Sequence, residues 1–140
     1  MSADQNKATV LRWFNEVCNG RKPEVADEIF AANHQYHDPG APASAGPGGM
    51  KQVSATYYTA FRDARWTVHE VFAIDDVVVA RWTGDGTHTA ELNGLAPTGR
   101  RVSVTGIWIS RLRDGKIVET WDNWDTLGML QQLGIVPQMA

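Results

Sequence analysis

The chain of 140 residues contains a single cysteine and no clustered excess of basic residues. One cysteine, Cys18, cannot form an internal disulfide or a zinc site of the Cys-x-x-Cys type. Its place on the apolar face of a predicted helix favours a small core residue over a reactive thiol. Lys and Arg number 13 against 16 Asp and Glu, a formal charge of −3. We therefore expect no nucleic-acid partner, because such proteins carry a basic patch.

Long apolar runs and metal-binding spacings are also missing. No run approaches the roughly 20 apolar residues of a membrane span, and residues 1–7 lack the features of a signal peptide. We therefore expect a cytoplasmic protein without membrane contact. None of the four histidines follows the His-Glu-x-x-His pattern, and the glycines at 46–49 lack the Lys-Ser/Thr of a phosphate loop. We expect neither a metal nor a cofactor.

What the sequence does contain is typical of one folded domain spanning residues 1–140. It is 43% hydrophobic and 21% charged, which does not indicate disorder. Six tryptophans are many for this length. Aromatic residues line ligand cavities, but they also fill the interiors of small barrels, and composition alone leaves both interpretations open.

The first half of the chain reads as helical. Apolar spacing predicts an amphipathic helix over residues 4–19, and Pro23 suits the first turn of a second, short helix. An extended segment follows at 31–38. Residues 39–49, rich in Gly and Pro, are predicted to form a loop, either a lid over a site or a plain surface connection. Helical spacing resumes from Gly49.

The second half alternates between apolar and polar residues, as strands do. The predicted strands are 65–74, 77–89, 100–113 and 116–124, followed by a short helix at 126–133. Helices first and a long meander last indicate an α+β fold. We expect a curved antiparallel sheet wrapped on the N-terminal helices, with a pocket for a small ligand between the two layers.

The last predicted strand carries the strongest candidate for chemistry. The turn at Asp114-Gly115 precedes it, and alternation gives Asp122 and Trp124 one face and Trp121 the other. A carboxyl group among tryptophans loses solvation, so its pKa rises towards the working pH of a general acid or base. Asp122 could instead be a structural residue, although Asp125 is better placed to cap the following helix.

Three stretches resemble a known family. They are DGKIVETWDNWDTLGMLQQLG (114–134), QYHDPGAP (35–42) and GLAPTGRRVSVTGI (94–107). Each is similar to the SnoaL-like polyketide cyclases, or ester cyclases, of the NTF2-like group of cone-shaped α+β barrels. The resemblance implies that Asp122 is the acid/base residue, that the substrate is a small hydrophobic carbonyl compound, and that the protein forms a homodimer or larger homo-oligomer through the outer sheet face.

The sequence departs from this family at three pocket positions. Asp38 stands where the anthracycline cyclases have Asn, and an ionised carboxylate cannot donate a hydrogen bond to an enolate oxygen as an amide can. Asp38 could alternatively close an Asx turn before Pro39. Gly106 and Trp108 stand where those cyclases have Gln and His, which predicts a roomier and less polar site.

These observations lead to one set of site residues and three functions. The predicted catalytic residue is Asp122, and the predicted substrate-binding residues are Tyr36, His37, Asp38, Trp82, His88, Trp108 and Trp124. The leading function is an intramolecular aldol cyclisation or a related proton transfer. One alternative is a protein that binds a small hydrophobic ligand without turnover. The other is an epoxide hydrolase similar to limonene epoxide hydrolase, which would need Asp38, Arg81 and Asp122 together.

Overall fold

A computed structural model describes residues 2–138, which form helices packed against one sheet. The α-helices are α1 (Ala3–Arg12), α2 (Ala26–Ile29), α3 (Gly46–Ala60) and α4 (Thr126–Gln132). The strands are β1 (Phe30–His37), β2 (Ser44–Ala45), β3 (Arg65–Ile74), β4 (Val77–Thr87), β5 (Arg101–Arg113) and β6 (Lys116–Trp124). No helix within residues 2–138 is long and apolar enough to cross a membrane.

The N-terminal helix begins with a capping box and ends in a wider turn. The Ser2 hydroxyl accepts from the Gln5 N–H, and the Gln5 side chain accepts from the Ser2 N–H, so two free backbone donors are satisfied. Beyond Arg12 the chain continues as a π-helix, Trp13–Asn19. The helix predicted over 4–19 is confirmed in position, but its second half has the π geometry that often accompanies functional sites.

The loop predicted over 39–49 is confirmed for residues 39–43, whereas residues 44–45 form strand β2 and residues 46–49 already belong to helix α3. Helix α3 begins at Gly46 and has Pro47 in its first turn, where the missing N–H of proline costs no hydrogen bond. Glycine is needed at position 49 of this helix because a Cβ there would collide with the Ser44 hydroxyl. The connection after β1 therefore spans only residues 38–43.

The six strands form one curved, unclosed sheet in the order β2-β1-β6-β5-β4-β3. Every pair is antiparallel except β1 and β6, which run parallel. The expected α+β fold is confirmed, whereas the wholly antiparallel sheet is corrected at β1, because no tight turn ties this strand to β6. Asp114 and Gly115 both have positive φ, as a two-residue hairpin turn requires.

A bulge in β6 sets which side chains face the interior. Leu112 pairs with Ile117 and Arg111 with Glu119, so Val118 is the extra residue of the bulge. As a result Ile117 is buried on the same side as Thr120 and Asp122, although simple alternation assigns it to the other face. On β5 the predicted alternation holds throughout, with even-numbered residues buried.

Candidate active site

A cavity of about 70 Å³ lies between the helices and the inner face of the sheet. Aromatic side chains from both layers make up much of its wall: Trp13, Phe14, Tyr36, Tyr57, Phe61, Trp66, Trp82 and Trp124. Four of the six tryptophans therefore line the cavity. Of the other two, Trp108 fills the core and Trp121 is exposed. Both interpretations of the tryptophan content are correct for different residues.

Asp122 brings a carboxyl group into this aromatic wall. Only 7% of the residue is exposed, because the β6 alternation points it inward. The Tyr36 hydroxyl donates to Asp122 Oδ2 and the Trp82 indole N–H donates to Oδ1, each at 3.1 Å. Each carboxylate oxygen can accept a second hydrogen bond, so Asp122 keeps acceptor capacity towards the cavity that it lines.

The contact between Trp82 and Asp122 depends on Gly106. Trp82 is on β4 and Asp122 on β6, so the indole must cross β5, where Gly106 is the residue paired with Trp82. A Cβ at position 106 would lie 2.7 Å from Trp82 Nε1, which is too close for any side chain. The Trp82 indole therefore fills the space that glycine leaves at position 106, while the comparison with a roomier site stays a prediction.

The electrostatics of Asp122 suit proton transfer near neutral pH. The pKa of Asp122 is raised to about 7, mainly by burial and to a smaller extent by the charge of Asp38, while the hydrogen bonds from Trp82 and Tyr36 lower it. A carboxyl group with such a pKa can accept and return a proton at neutral pH. Among residues 2–138 no group of three or more His, Cys, Asp and Glu side chains is arranged to hold a metal ion.

Asp38 supports the cavity wall without lining it. Its Oδ1 accepts from the Gly40 N–H at 2.8 Å and its Oδ2 accepts from the Trp124 indole N–H at 2.9 Å. The first contact is the Asx turn that the sequence left open as an alternative. The second holds the Trp124 ring, which does line the cavity. Asp38 therefore reaches the cavity through Trp124, and direct contact between Asp38 and a substrate stays a prediction.

His37 and Arg81 lie away from the cavity. The His37 ring is 2.7 Å from Glu119 and stacks on Trp121, because odd-numbered residues at this end of β1 and β6 face outward. Arg81 is exposed and pairs with Glu70 at 3.4 Å. His37 is therefore not placed to bind a substrate in the cavity. The epoxide-hydrolase alternative required Arg81 beside Asp38 and Asp122, and the structure places Arg81 elsewhere.

His88 and Trp108 are buried but are not among the lining residues. His88 Nδ1 accepts from the Thr98 N–H at 3.1 Å, which ties the end of β4 to the following loop. Trp108 stacks on Trp13 with ring centroids 5.5 Å apart and meets Phe14 edge-on. Alternation correctly turned both residues inward, but it could not tell core positions from cavity positions. Tyr36, Trp82, Trp124 and Asp122 are the predicted residues that the structure brings together.

Tyr57 is a cavity residue that the sequence placed only within the helical spacing resuming at Gly49. On α3 it lines the cavity with Val53 and Phe61, and its ring meets Trp124 edge-on at 5.4 Å. Burial raises the pKa of Tyr57 to about 12, with smaller contributions from Asp38 and Asp122. The available signal was a hydroxyl-bearing residue within an otherwise apolar, inward-facing helical stripe.

The sequence and the fold match known proteins over most of the chain. A model of the SnoaL-like polyketide cyclase family matches residues 8–133. Aklanonic acid methyl ester cyclase DauD of Streptomyces sp. (strain C5) is 31% identical over 130 residues, covering 89% of this chain and 79% of DauD. IdmH of Streptomyces antibioticus, presented as a candidate polyketide cyclase, has a TM-score of 0.79 at 32% identity, covering 93% of this chain and 99% of its own. AclR of Streptomyces galilaeus, presented as a candidate hydroxylase, has a TM-score of 0.85 at 26% identity, and the match covers 99% of this chain and 91% of AclR.

Proposed function

Because the chain belongs to the SnoaL-like polyketide cyclase family, we propose that it cyclises a small polyketide ester without a cofactor and that Asp122 is the general acid and base. The observation that carries this proposal is a carboxyl group that is 7% exposed in an aromatic cavity and has a pKa of about 7. With that pKa, about half of the Asp122 carboxyl groups are ionised at neutral pH. The ionised form is strong enough as a base to accept a carbon-bound proton.

The reaction needs one proton acceptor and a folded substrate. Ionised Asp122 removes a proton from a carbon between two carbonyl groups, which leaves an enolate. The enolate carbon forms a bond to a second carbonyl carbon of the same molecule, and that carbonyl's π electrons move to its oxygen. The resulting alkoxide takes the proton back from Asp122, so the enzyme ends as it began. Holding the substrate in a folded conformation lowers the barrier by up to about 7–11 kcal/mol. A general base contributes about 10²–10⁴-fold in rate, which corresponds to only about 3–5 kcal/mol.

The substrate class follows from the wall and from the relative. The name of DauD describes a cyclase acting on aklanonic acid methyl ester, and we propose a hydrophobic, carbonyl-rich ester of this kind for the present chain. The aromatic wall suits the apolar part of such a molecule. The cavity of about 70 Å³ is below the usual 300–1,000 Å³ of ligand pockets, so binding requires wall side chains to move apart.

The test is Asp122→Asn with aklanonic acid methyl ester as the assayed substrate. We expect kcat at saturating substrate to fall by about 10²–10⁴-fold, the contribution of a general base. Asp125→Asn is the matched control, because Asp125 caps α4 through the Gly128 N–H and Asn caps helices equally well. An unchanged kcat in Asp122→Asn would end the proposal. An ester that binds to the wild type and is recovered unaltered would favour ligand binding without turnover.

We also infer that the outer sheet face joins two copies of the chain. One row of directly paired residues crosses four strands there, from Phe72 through Val79 and Ile109 to Trp121. Phe72, Ile109 and Trp121 are exposed by 54%, 38% and 36%, and contiguous apolar patches mark interaction surfaces. We expect a dimer in sedimentation experiments and a monomer after Trp121→Glu. A wild-type monomer would refute the inference.

A further inference from the structure

Four hydrogen-bond donors in the cavity wall are already occupied by protein partners. The Tyr36 hydroxyl and the Trp82 indole serve Asp122, and the Trp124 indole serves Asp38. The Ser54 hydroxyl, also in the wall, donates to the Lys51 carbonyl at 2.9 Å. A substrate oxygen that becomes negatively charged would therefore have to find its donor elsewhere. At the positions where the resembling cyclases have Gln and His, Gly106 has no side chain and Trp108 does not line the cavity.

Three donors in the wall have no hydrogen-bond partner within residues 2–138: the Tyr57 hydroxyl and the indole N–H groups of Trp13 and Trp66. Tyr57 packs against Trp124, whose indole is held by Asp38, and both Asp38 and Asp122 act on the pKa of Tyr57. Trp66 instead lies beside Gly84 and under the Arg21 guanidinium, 5.9 Å from its ring centroid. Trp13 stacks on Trp108 and meets Phe30 edge-on. Tyr57 contacts Trp124 on the strand that carries Asp122, and it is the only hydroxyl among the three free donors.

We propose that the Tyr57 hydroxyl donates a hydrogen bond to the substrate oxygen that becomes negative when Asp122 removes the carbon-bound proton. This role rests on the proposed function of Asp122. The enolate oxygen is bonded to a carbon adjacent to the one that loses its proton, so its donor must lie near Asp122. A donor aimed at developing charge in a water-poor site is among the largest contributions to catalysis.

The chemistry of Tyr57 fits a donor and not a second base. With a pKa of about 12 the phenol keeps its proton at neutral pH, so no proton moves to or from Tyr57 during the cycle. The hydroxyl has no partner to break away from within residues 2–138. A hydrogen bond to the enolate is therefore formed without the loss of an existing one.

The experiment compares Tyr57→Phe with Tyr58→Phe, using aklanonic acid methyl ester. Tyr58 is the adjacent tyrosine on α3, its ring lies under Arg21, and it does not line the cavity. We expect kcat of Tyr57→Phe to fall by about 10²-fold, the usual effect of removing such a donor, with KM changed by less than about twofold. Tyr58→Phe should keep the wild-type kcat, and incorporation of 3-fluorotyrosine at position 57 should restore the activity lost in the phenylalanine variant.

The outcomes separate this proposal from the one it rests on. If Tyr57→Phe keeps wild-type kcat while Asp122→Asn loses activity, the role of Tyr57 is refuted and that of Asp122 stands. If Asp122→Asn also keeps wild-type kcat, the proposed function fails and the role of Tyr57 with it. The urea midpoint supplies an independent readout, because removing an unpartnered hydroxyl should leave stability unchanged. A kcat loss that 3-fluorotyrosine does not reverse would also overturn the proposal.

Discussion

The free energy of unfolding of Asp122→Asn, taken relative to that of the wild type, is expected to increase as the pH rises. Burial raises the folded-state pKa of Asp122 to about 7, against 3.8 for an ordinary Asp. Between these values the folded protein binds a proton that the unfolded chain has released. The contribution of Asp122 to stability is therefore full below the unfolded-state pKa and is lost as the pH rises through the folded-state pKa.

The size of the effect follows from the two pKa values. A difference of about 3 corresponds to about 4 kcal/mol between the low-pH and high-pH limits. About 2.5 kcal/mol of this falls between about pH 5 and about pH 8, where both proteins can be compared. Asn leaves one of the two donors, from Tyr36 or Trp82, without an acceptor, which costs about 1–3 kcal/mol. That cost is independent of pH, so it offsets the whole curve without changing its slope.

Urea unfolding at a series of pH values measures the effect. The informative quantity is the free energy of unfolding of Asp122→Asn minus that of the wild type, and we expect it to increase with pH. Asp125→Asn serves as the control, since it removes a carboxylate outside the cavity. A difference that stays flat, or that decreases with pH, would refute the claim that the Asp122 carboxyl is costly to ionise in the folded protein.

Three further changes test parts of the site. Tyr36→Phe removes a donor that favours ionised Asp122, so the acidic limb of the pH dependence of kcat/KM should move to higher pH; an unmoved limb contradicts this. Gly106→Ala should displace the Trp82 indole, lowering kcat and the urea midpoint together, and wild-type values for both would contradict the packing described. Asp125→Ala removes the α4 cap and should cost about 1 kcal/mol of stability in urea unfolding; no loss would contradict the capping role.

Local chemistry made several elements predictable from the sequence. Asp114 and Gly115 both adopt the positive φ values that an Asp-Gly hairpin turn favours. Because this turn fixes where the next strand begins, the strand at 116–124 is found with its predicted bounds. The strand at 65–74 is likewise confirmed. Asp125 caps α4 as expected, because a short acceptor directly before an apolar helix satisfies its free N–H groups.

Features that depend on tertiary contacts could not be predicted in this way. The bulge at Val118 changes the face of Ile117, and nothing in local alternation indicates the extra residue. Trp82 and Trp108 have the same inward direction on neighbouring strands, yet one reaches the cavity across Gly106 and the other packs in the core. Trp108 is in the core because Trp13 and Phe14 of the N-terminal helical segment pack on it, whereas Trp82 still lines the cavity.

Tyr57 and Asp38 illustrate the same limit within the site. An apolar helical stripe predicts that Tyr57 faces inward, but only the assembled wall reveals that its hydroxyl is left without a partner. Asp38 was expected to face a substrate, yet it holds the Trp124 indole. The sequence indicates which side chains face inward, whereas their hydrogen-bond partners come from segments up to 86 positions apart, as for Trp124 and Asp38.

The most direct test of the account is the titration of the Asp122 carboxyl group by carbon-13 NMR, with Asp122→Asn used to assign the resonance. The account predicts a side-chain carboxyl signal that titrates near pH 7 and is absent from the variant spectrum. A signal for Asp122 that titrates near 3.8, the ordinary value for Asp, would contradict it, because the group would then be ionised throughout the neutral range and too weak a base for the proposed step.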